Sequence, residues 1–134
     1  MIRSLDHVAI AVPDLDPAIR RFVDDLGLTL AGVEDVASAV TRTAFLPIDG
    51  PTRIELVAPL EGQGPIARQL EKRGPGLHHL CFRTDDLDAD VARLRAKGWQ
   101  FTTDAPTPGA HGTRVMFLHP KSTGGVLIEL AEHP

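Results

Sequence analysis

The amino-acid sequence predicts an α+β fold in which two βαβββ modules form a curved, mostly antiparallel eight-stranded sheet around a cavity. The first observation behind this prediction is an internal repeat, because the segments around His7 and His79 align without a gap at an offset of 79 − 7 = 72. The second is a further repeat, in which Glu55 aligns with Glu129 at an offset of 129 − 55 = 74. The third is that each repeated strand carries one of these polar residues on the face opposite its bulky apolar residues.

The length and composition fit one domain made of two halves. The chain has 134 residues, of which 43% are hydrophobic, and this is enough for a sizeable core. Repeat units of this size rarely bury their apolar faces separately. We therefore predict a single domain over residues 1–134, built from modules at about residues 1–60 and 75–134.

Charge and cysteine content exclude several classes of protein. The net charge is −4 and no Lys/Arg cluster is present, so nucleic acid and anionic membranes are not expected as partners. Cys81 is the only cysteine, which excludes an intramolecular disulfide and a thiolate-rich zinc site. No apolar stretch resembles a signal peptide or is long enough to span a membrane. A cytoplasmic protein is the expectation.

The elements of the first module are predicted from apolar runs and from the residues that bound them. Residues 5–12 form a β-branched apolar run that Pro13 stops, which predicts a strand. Asp14 or Asp16 can cap the helix that follows, and Gly27 ends it. Three further strands are predicted over residues 28–34, 39–47 and 52–58.

The second module repeats this pattern after a connecting helix. Residues 65–73 predict a short helix that ends at Gly74. Asp86 or Asp88 can cap the second module's own helix, and Gly98 ends it. The Pro/Gly-rich residues 104–112 predict a loop at the edge of a site. The predicted strands of this module cover residues 77–84, 99–102, 114–119 and 125–131.

Strand alternation puts both histidines and both glutamates on the face away from the bulky residues. His7 alternates with Val8 and Ile10, whereas Ala9 shares its face. His79 similarly lies opposite Leu80. Within each Ile-Glu-Leu segment, the glutamate lies opposite its two apolar neighbours. Helices must cover the bulky face, so the other face carries small and polar side chains and can enclose a polar cavity.

Two imidazoles and two carboxylates in such a cavity form a metal-ligand set. The two carboxylates cancel the charge of one divalent cation, and mixed N/O donors suit Zn, Co, Ni, Mn or Fe(II) better than Ca. His78 is an alternative to His79, but it falls on the opposite face and lacks a histidine partner in the first module. For each of the four residues taken alone, a role without metal remains the alternative, since strand histidines are often structural and strand glutamates often face solvent.

Several sequence segments, among them those around His7, Glu55 and His79, carry a resemblance to a known family. They include Gly109-Ala-His-Gly112 and the run of residues 117–130, FLHPKSTGGVLIEL. With the βαβββ repeat, these segments resemble the vicinal oxygen chelate, or glyoxalase, superfamily, and within it the methylmalonyl-CoA epimerase family. The resemblance implies a homodimer that binds an acyl-CoA and interconverts the C2 epimers of methylmalonyl-CoA. It also implies a divalent metal ion (Co, Zn, Mn, Ni or Mg) bound by His7, Glu55, His79 and Glu129.

Epimerisation needs one group to remove the C2 proton and another to return a proton on the other side. Glu55 and Glu129 are the predicted catalytic residues, and a metal-bound water or His111 is an alternative second group. Some family members have a glutamate on the strand after the first module's β-turn, where this chain has Arg42, which cannot act as a base. The predicted substrate-binding residues are Lys121, Ser122, His111 and Arg42.

Other functions remain open on the sequence alone. A glyoxalase-type isomerase could use the same ligand set. An extradiol-type dioxygenase normally needs two histidines and one carboxylate, so the additional Glu55 counts against it. A metal-free binding protein of the same fold would need none of the four ligands. Metal content separates this last class from the enzymes.

Overall fold

The structure, a computed structural model, describes all 134 residues. The chain divides into two compact units. The first unit comprises His7–His78, and the second comprises Met1–Asp6 together with His79–Pro134. The first strand, β1, therefore contributes residues to both units.

The first unit contains most of the first βαβββ module and the helix that follows it. In sheet order its strands are β2, β3, β4 and β1. Strand β3 is antiparallel to both β2 and β4, whereas β1 is parallel to β4. The elements are β1 (Ile2–Ala11), α1 (Leu15–Arg20, continued by a π-helical turn at Arg21–Asp25), β2 (Gly32–Val36), β3 (Thr41–Pro47), β4 (Arg53–Pro59) and α2 (Pro65–Arg73).

Helix α1 covers the bulky face of these strands. The Asp14 side chain caps the helix by accepting a hydrogen bond from the Asp16 N–H, which decides between the two predicted caps. Leu15 and Ala18 then pack in one cluster with residues of β3 and β4. The cluster of buried residues consists of Val12, Leu15, Ala18, Ala44, Leu46, Leu56 and Ala58.

The second unit contains the second βαβββ module. In sheet order its strands are β5, β8, β7 and β6, with β8 parallel to β5 and antiparallel to β7. The elements are β5 (Gly76–Thr84), α3 (Leu87–Ala96), β6 (Thr107–Pro108), β7 (Arg114–Leu118), α4 (Pro120–Thr123) and β8 (Ile128–Glu132). Asp86 caps α3 by accepting a hydrogen bond from the Ala89 N–H.

Helix α3 covers the bulky face of the second unit as α1 does in the first. A cluster of buried residues lies between α3 and the strands of this unit. Phe82 of β5 packs against the cluster, together with Trp99 and Phe101 from the segment after the helix. The buried members are Leu87, Val91, Met116, Leu118 and Leu130. Both modules thus have the predicted βαβββ order, and in each unit the four strands form one parallel pair and two antiparallel pairs. The predicted α+β class is confirmed.

The structure differs from the predicted strands at β2 and β6. Strand β2 begins at Gly32 rather than at residue 28, because the Leu28 N–H is bound to the Phe22 carbonyl at the end of the first helix. Residues 99–102 form only one bridge, between Phe101 and Leu118, since the Ser122 hydroxyl takes the Gln100 N–H. Strand β6 lies instead at Thr107–Pro108, within the predicted loop.

The last strand also starts later than predicted. Strand β8 begins at Ile128 rather than at residue 125, because the Gly125 N–H is bound to the Pro120 carbonyl and closes the short helix α4. Helix α2 covers residues 65–73 as predicted. None of the helices combines the length and apolar character needed to cross a membrane.

Candidate functional site

The first unit brings together one histidine and one glutamate. His7 lies on β1 and Glu55 on the neighbouring strand β4, where the parallel register pairs Ala9 with Glu55. The His7 Nδ1 and Glu55 Oε2 atoms are 3.0 Å apart, and both side chains are buried. One nitrogen and one oxygen donor are therefore available on the same face of the sheet.

The predicted division of faces in this unit is confirmed. Ala9 and Ala11, which share the face of His7, are fully buried and pack with Val57 of the Glu55 face. Ile66 of helix α2 belongs to the same cluster. Helix α2 therefore packs against part of the face that carries His7 and Glu55, which the sequence predicted to be free of helices, whereas the opposite face packs against helix α1 as predicted.

The second unit repeats the arrangement with His79 and Glu129. The His79 Nε2 and Glu129 Oε1 atoms are 3.3 Å apart, and both side chains are largely buried. The rings of His79 and Phe117 also form a T-shaped contact, with ring centroids 5.1 Å apart and an interplanar angle of 85°. Cys81 shares the His79 face and is buried with Val115 and Ala131.

The chemistry of each pair suits a divalent metal ion. Two donors that lie about 2.1 Å from one octahedral ion and subtend a right angle are about 3.0 Å apart. The distances of 3.0 and 3.3 Å in the two pairs match this spacing. Imidazole nitrogen with carboxylate oxygen is also a donor set that transition metals and Zn accept. Each pair can therefore supply two adjacent ligands.

Arg53 is a residue of this face that the sequence reading missed. Its Nη2 atom lies 2.6 Å from the Glu55 Oε2 atom, and its guanidinium carbon lies 5.4 Å from the centre of the Phe45 ring. The available signal was its position two residues before Glu55, because residues at i and i+2 share one face of a strand. The interaction itself depends on rotamers that the sequence does not show.

The structure does not bring the predicted substrate-binding residue Arg42 to the Glu55 face. Arg42 shares its face of β3 with Ala44 and Leu46, which pack against α1, so its side chain leaves the sheet on the helix side. There it is exposed and forms a bidentate pair with Asp35, with Nε–Oδ1 and Nη2–Oδ2 distances of 2.7 and 3.2 Å. These hydrogen bonds lower the pKa of Asp35 from its ordinary value of 3.8. Arg42 also lines a cleft of about 340 Å³ beside the start of α1.

The other predicted substrate-binding residues lie in two turns of the second unit. His111 is exposed and has a left-handed backbone with a φ of 57°. Lys121 and Ser122 lie on helix α4 rather than on a loop. The Ser122 hydroxyl accepts a hydrogen bond from the Gln100 N–H at 2.9 Å. Their contact with a substrate stays a prediction.

His119 has a structural role in the same turn. Its Nδ1 atom accepts a hydrogen bond from the Lys121 N–H at 3.1 Å and so caps α4. This agrees with its position before Pro120, a favourable first residue of a helix. The cap orients the turn that carries Lys121 and Ser122.

Known proteins are similar to this chain in sequence and in fold. An ethylmalonyl-CoA/methylmalonyl-CoA epimerase of Cereibacter sphaeroides is 40% identical over 134 aligned positions, which cover 98% of this chain and 99% of the relative. The crystal structure of methylmalonyl-CoA epimerase from Mycobacterium tuberculosis has a TM-score of 0.95 and 43% identity, covering 99% of this chain and 89% of that one. A Streptomyces coelicolor methylmalonyl-CoA epimerase variant in complex with 2-nitronate-propionyl-CoA has a TM-score of 0.95 and 34% identity, covering 99% of each chain.

A family model gives the same result. The model described as Glyoxalase/Bleomycin resistance protein/Dioxygenase superfamily matches residues 6–117. This match covers most of both modules, including His7, Glu55 and His79. The chain belongs to the glyoxalase/bleomycin resistance protein/dioxygenase superfamily.

Proposed function

We propose that this protein interconverts the two C2 epimers of methylmalonyl-CoA. The observation that carries the proposal is the similarity to methylmalonyl-CoA epimerases along nearly the whole chain, which reaches 43% identity over 99% of this chain for the Mycobacterium tuberculosis protein. The substrate is therefore an acyl-CoA thioester, and the reaction is a proton transfer at the carbon between the thioester and the carboxylate.

The proposed metal ligands are His7, Glu55, His79 and Glu129. Each unit supplies one buried His–Glu pair with a donor spacing that suits one ion. The two carboxylates balance the charge of a divalent cation when both imidazoles are neutral. When bound, such an ion supplies a Lewis acid that stabilises negative charge developing on the substrate oxygens. Co, Zn, Mn, Ni and Mg are the candidate ions.

The protein's own side chains would move the proton. The C2 hydrogen of methylmalonyl-CoA is acidic because both the thioester and the carboxylate withdraw electron density. One glutamate, as its carboxylate, takes up this proton, and a second group, in its protonated form on the other side of C2, returns a proton and becomes the conjugate base. Glu129 and Glu55 are the proposed groups, since each is buried on a strand face beside an imidazole nitrogen. His111 is the alternative second group.

The proposed substrate contacts lie in the turns of the second unit. An exposed ammonium at Lys121, the Ser122 hydroxyl and the His111 ring can meet anionic or polar parts of an acyl-CoA. Arg42 is left out of this set because its side chain lies on the helix side of β3 and pairs with Asp35. A cytoplasmic homodimer is also part of the proposal, and light scattering coupled to size-exclusion chromatography tests the dimer.

Deuterium exchange tests the function directly. Purified protein without a His tag is incubated with a single epimer of methylmalonyl-CoA in deuterated water, with and without added Co or Mg. We expect metal-dependent loss of the C2 proton signal and formation of the other epimer. Absence of exchange with every candidate ion would refute the proposal. Metal analysis of the same protein separates an enzyme from a metal-free binding protein of this fold.

Variants of the two glutamates test their roles. Glu129→Gln and Glu55→Gln should each lower kcat by about 10²–10⁴-fold, the usual contribution of a general acid or base. Glu71→Gln is the matched control, because Glu71 is exposed on helix α2. Exchange at the wild-type rate in both site variants would mean that other groups transfer the proton.

A further inference from the structure

The charged residue Arg53 lies among the proposed functional residues of the first unit. Arg53 and Glu55 lie on the same face of β4, and Phe45 is the direct cross-strand partner of Glu55 on β3. His7 is the register partner of Arg53 on β1. A guanidinium, a carboxylate, an imidazole and an aromatic ring therefore meet on three neighbouring strands.

The contacts of Arg53 hold its guanidinium in one place. Its Nη2 atom lies 2.6 Å from the Glu55 Oε2 atom, and its Cζ atom lies 5.4 Å from the ring centre of Phe45. Phe45 is almost completely buried, and the Arg53 side chain is only 18% exposed. A guanidinium held on an aromatic face in this way has lost much of its freedom already, so a ligand anion need not order it.

Arg53 changes the charge of the proposed site. Glu55 and Glu129 together carry two negative charges, which a divalent ion cancels. Arg53 adds a positive charge to this face, where it pairs with Glu55. A substrate carboxylate on the same face would be attracted by the guanidinium, whereas an acyl group without a carboxylate would not.

We propose that Arg53 selects an acyl-CoA whose acyl group carries a carboxylate. The planar guanidinium binds a carboxylate through directed N–H donors, and such pairs are stronger than neutral hydrogen bonds. The duplicated module has Leu127 at the matching position, 53 + 74 = 127, so this charge occurs only in the first unit. The inference rests on the proposed function, because it assumes that the acyl group binds on the Glu55 face.

Calorimetric titration with two CoA esters tests this inference. Methylmalonyl-CoA and propionyl-CoA differ by one carboxylate, so the ratio of their dissociation constants measures recognition of that group. Arg53→Met should weaken binding of methylmalonyl-CoA by about 10–100-fold, as expected for loss of a charged hydrogen bond, and of propionyl-CoA by less than about 3-fold. Arg53→Lys, which keeps the charge, should show a smaller selective loss. Titrations are made with metal-free and metal-loaded protein.

The control and the fold are checked in the same series. Leu127→Met changes the matching position of the second module and should leave both dissociation constants unchanged. Circular dichroism and thermal unfolding establish that each variant is folded. If Arg53→Met does not fold, Arg53→Lys decides, and equal weakening of both esters in that variant would overturn the inference.

Failure of the inference differs from failure of the proposed function. A wild-type protein that binds both esters equally, or an Arg53→Met variant that keeps the wild-type ratio, would overturn only the role of Arg53. A wild-type protein that binds neither ester and exchanges no C2 proton would overturn both. Equal losses for the two esters would show that Arg53 only supports the Glu55 carboxylate.

Discussion

The Nδ1 atom of His7 lies 3.0 Å from the Oε2 atom of Glu55, and the second unit repeats this pair with His79 and Glu129 at 3.3 Å. The repeated pairs use different ring nitrogens, Nδ1 in the first and Nε2 in the second. The duplication has therefore kept the residue types and the strand positions while the orientation of the imidazole has changed.

The proposed metal ligand His79 can be tested against its neighbour. His79→Ala should weaken binding of Co²⁺ by about 100-fold or more, because a direct ligand matters at least as much as its supporting groups. His78→Ala should keep the wild-type affinity, since His78 lies on the opposite face of β5. Titration of tag-free, metal-free protein with Co²⁺ measures both constants by visible absorption. A larger loss of Co²⁺ affinity in His78→Ala would show that His78, and not His79, is the metal ligand.

The buried carboxylate of Asp90 should contribute strongly to stability. Asp90 is 1% exposed and accepts hydrogen bonds from the Thr84 hydroxyl and from Arg93 Nη1, the latter at 2.7 Å. Asp90→Ala leaves both donors without this acceptor and should lower the free energy of unfolding by about 2–3 kcal/mol. Urea unfolding followed by circular dichroism measures the change.

The control for Asp90 is Asp88 on the same helix. The Asp88 side chain is 71% exposed and pairs with Arg114 at the surface. Asp88→Ala should change the free energy of unfolding by no more than about 1 kcal/mol, the usual range for an exposed pair. Equal losses in the two variants would show that burial does not decide the contribution.

Gly109 should not tolerate a side chain. An added Cβ atom would lie 2.5 Å from the Thr113 hydroxyl and 2.8 Å from a Val115 methyl group, and both residues are buried. Gly109→Ala must therefore displace the turn that carries His111, at a cost of about 1–3 kcal/mol. Gly32→Ala is the matched control, because no heavy atom lies within 4 Å of its added Cβ. Thermal unfolding compares them, and an unchanged Tm in Gly109→Ala would contradict the steric argument.

The pair of Arg42 and Asp35 predicts that the stability of the folded state falls at acidic pH. Hydrogen bonds from Arg42 hold the pKa of Asp35 below 3.8, so the pair stabilises the folded state above that pH. This contribution is lost as the pH falls through the lowered pKa. In Arg42→Gln the pKa of Asp35 should rise towards its ordinary value, which a carbon-detected NMR titration of the carboxyl group measures.

Arg20→Gln is the control for this titration. Arg20 is exposed on helix α1, outside the Asp35 pair, and its removal should leave the pKa of Asp35 unchanged. The stability difference between wild type and Arg42→Gln should be present at neutral pH and should vanish below the lowered pKa of Asp35. A pKa of Asp35 that is the same in both proteins would refute the assigned cause.

The module order and the face of each proposed metal ligand follow from local patterns in the sequence. Alternation along a strand is a property of the backbone, so His7 could be separated from Val8, and His79 from His78, without any partner strand. The end of helix α2 at Gly74 was equally local, because a glycine there closes the last turn. These features depend only on neighbours along the chain.

Tertiary structure decided which side chains meet across strands and turns. The Glu55 carboxylate meets Arg53 and His7 because of rotamers and of the register between β1 and β4. Arg42 reaches Asp35 because its strand position puts it on the helix side. The Ser122 hydroxyl takes the Gln100 N–H and prevents a regular strand there. Such contacts join residues distant in sequence, so no local pattern contains the information that selects them.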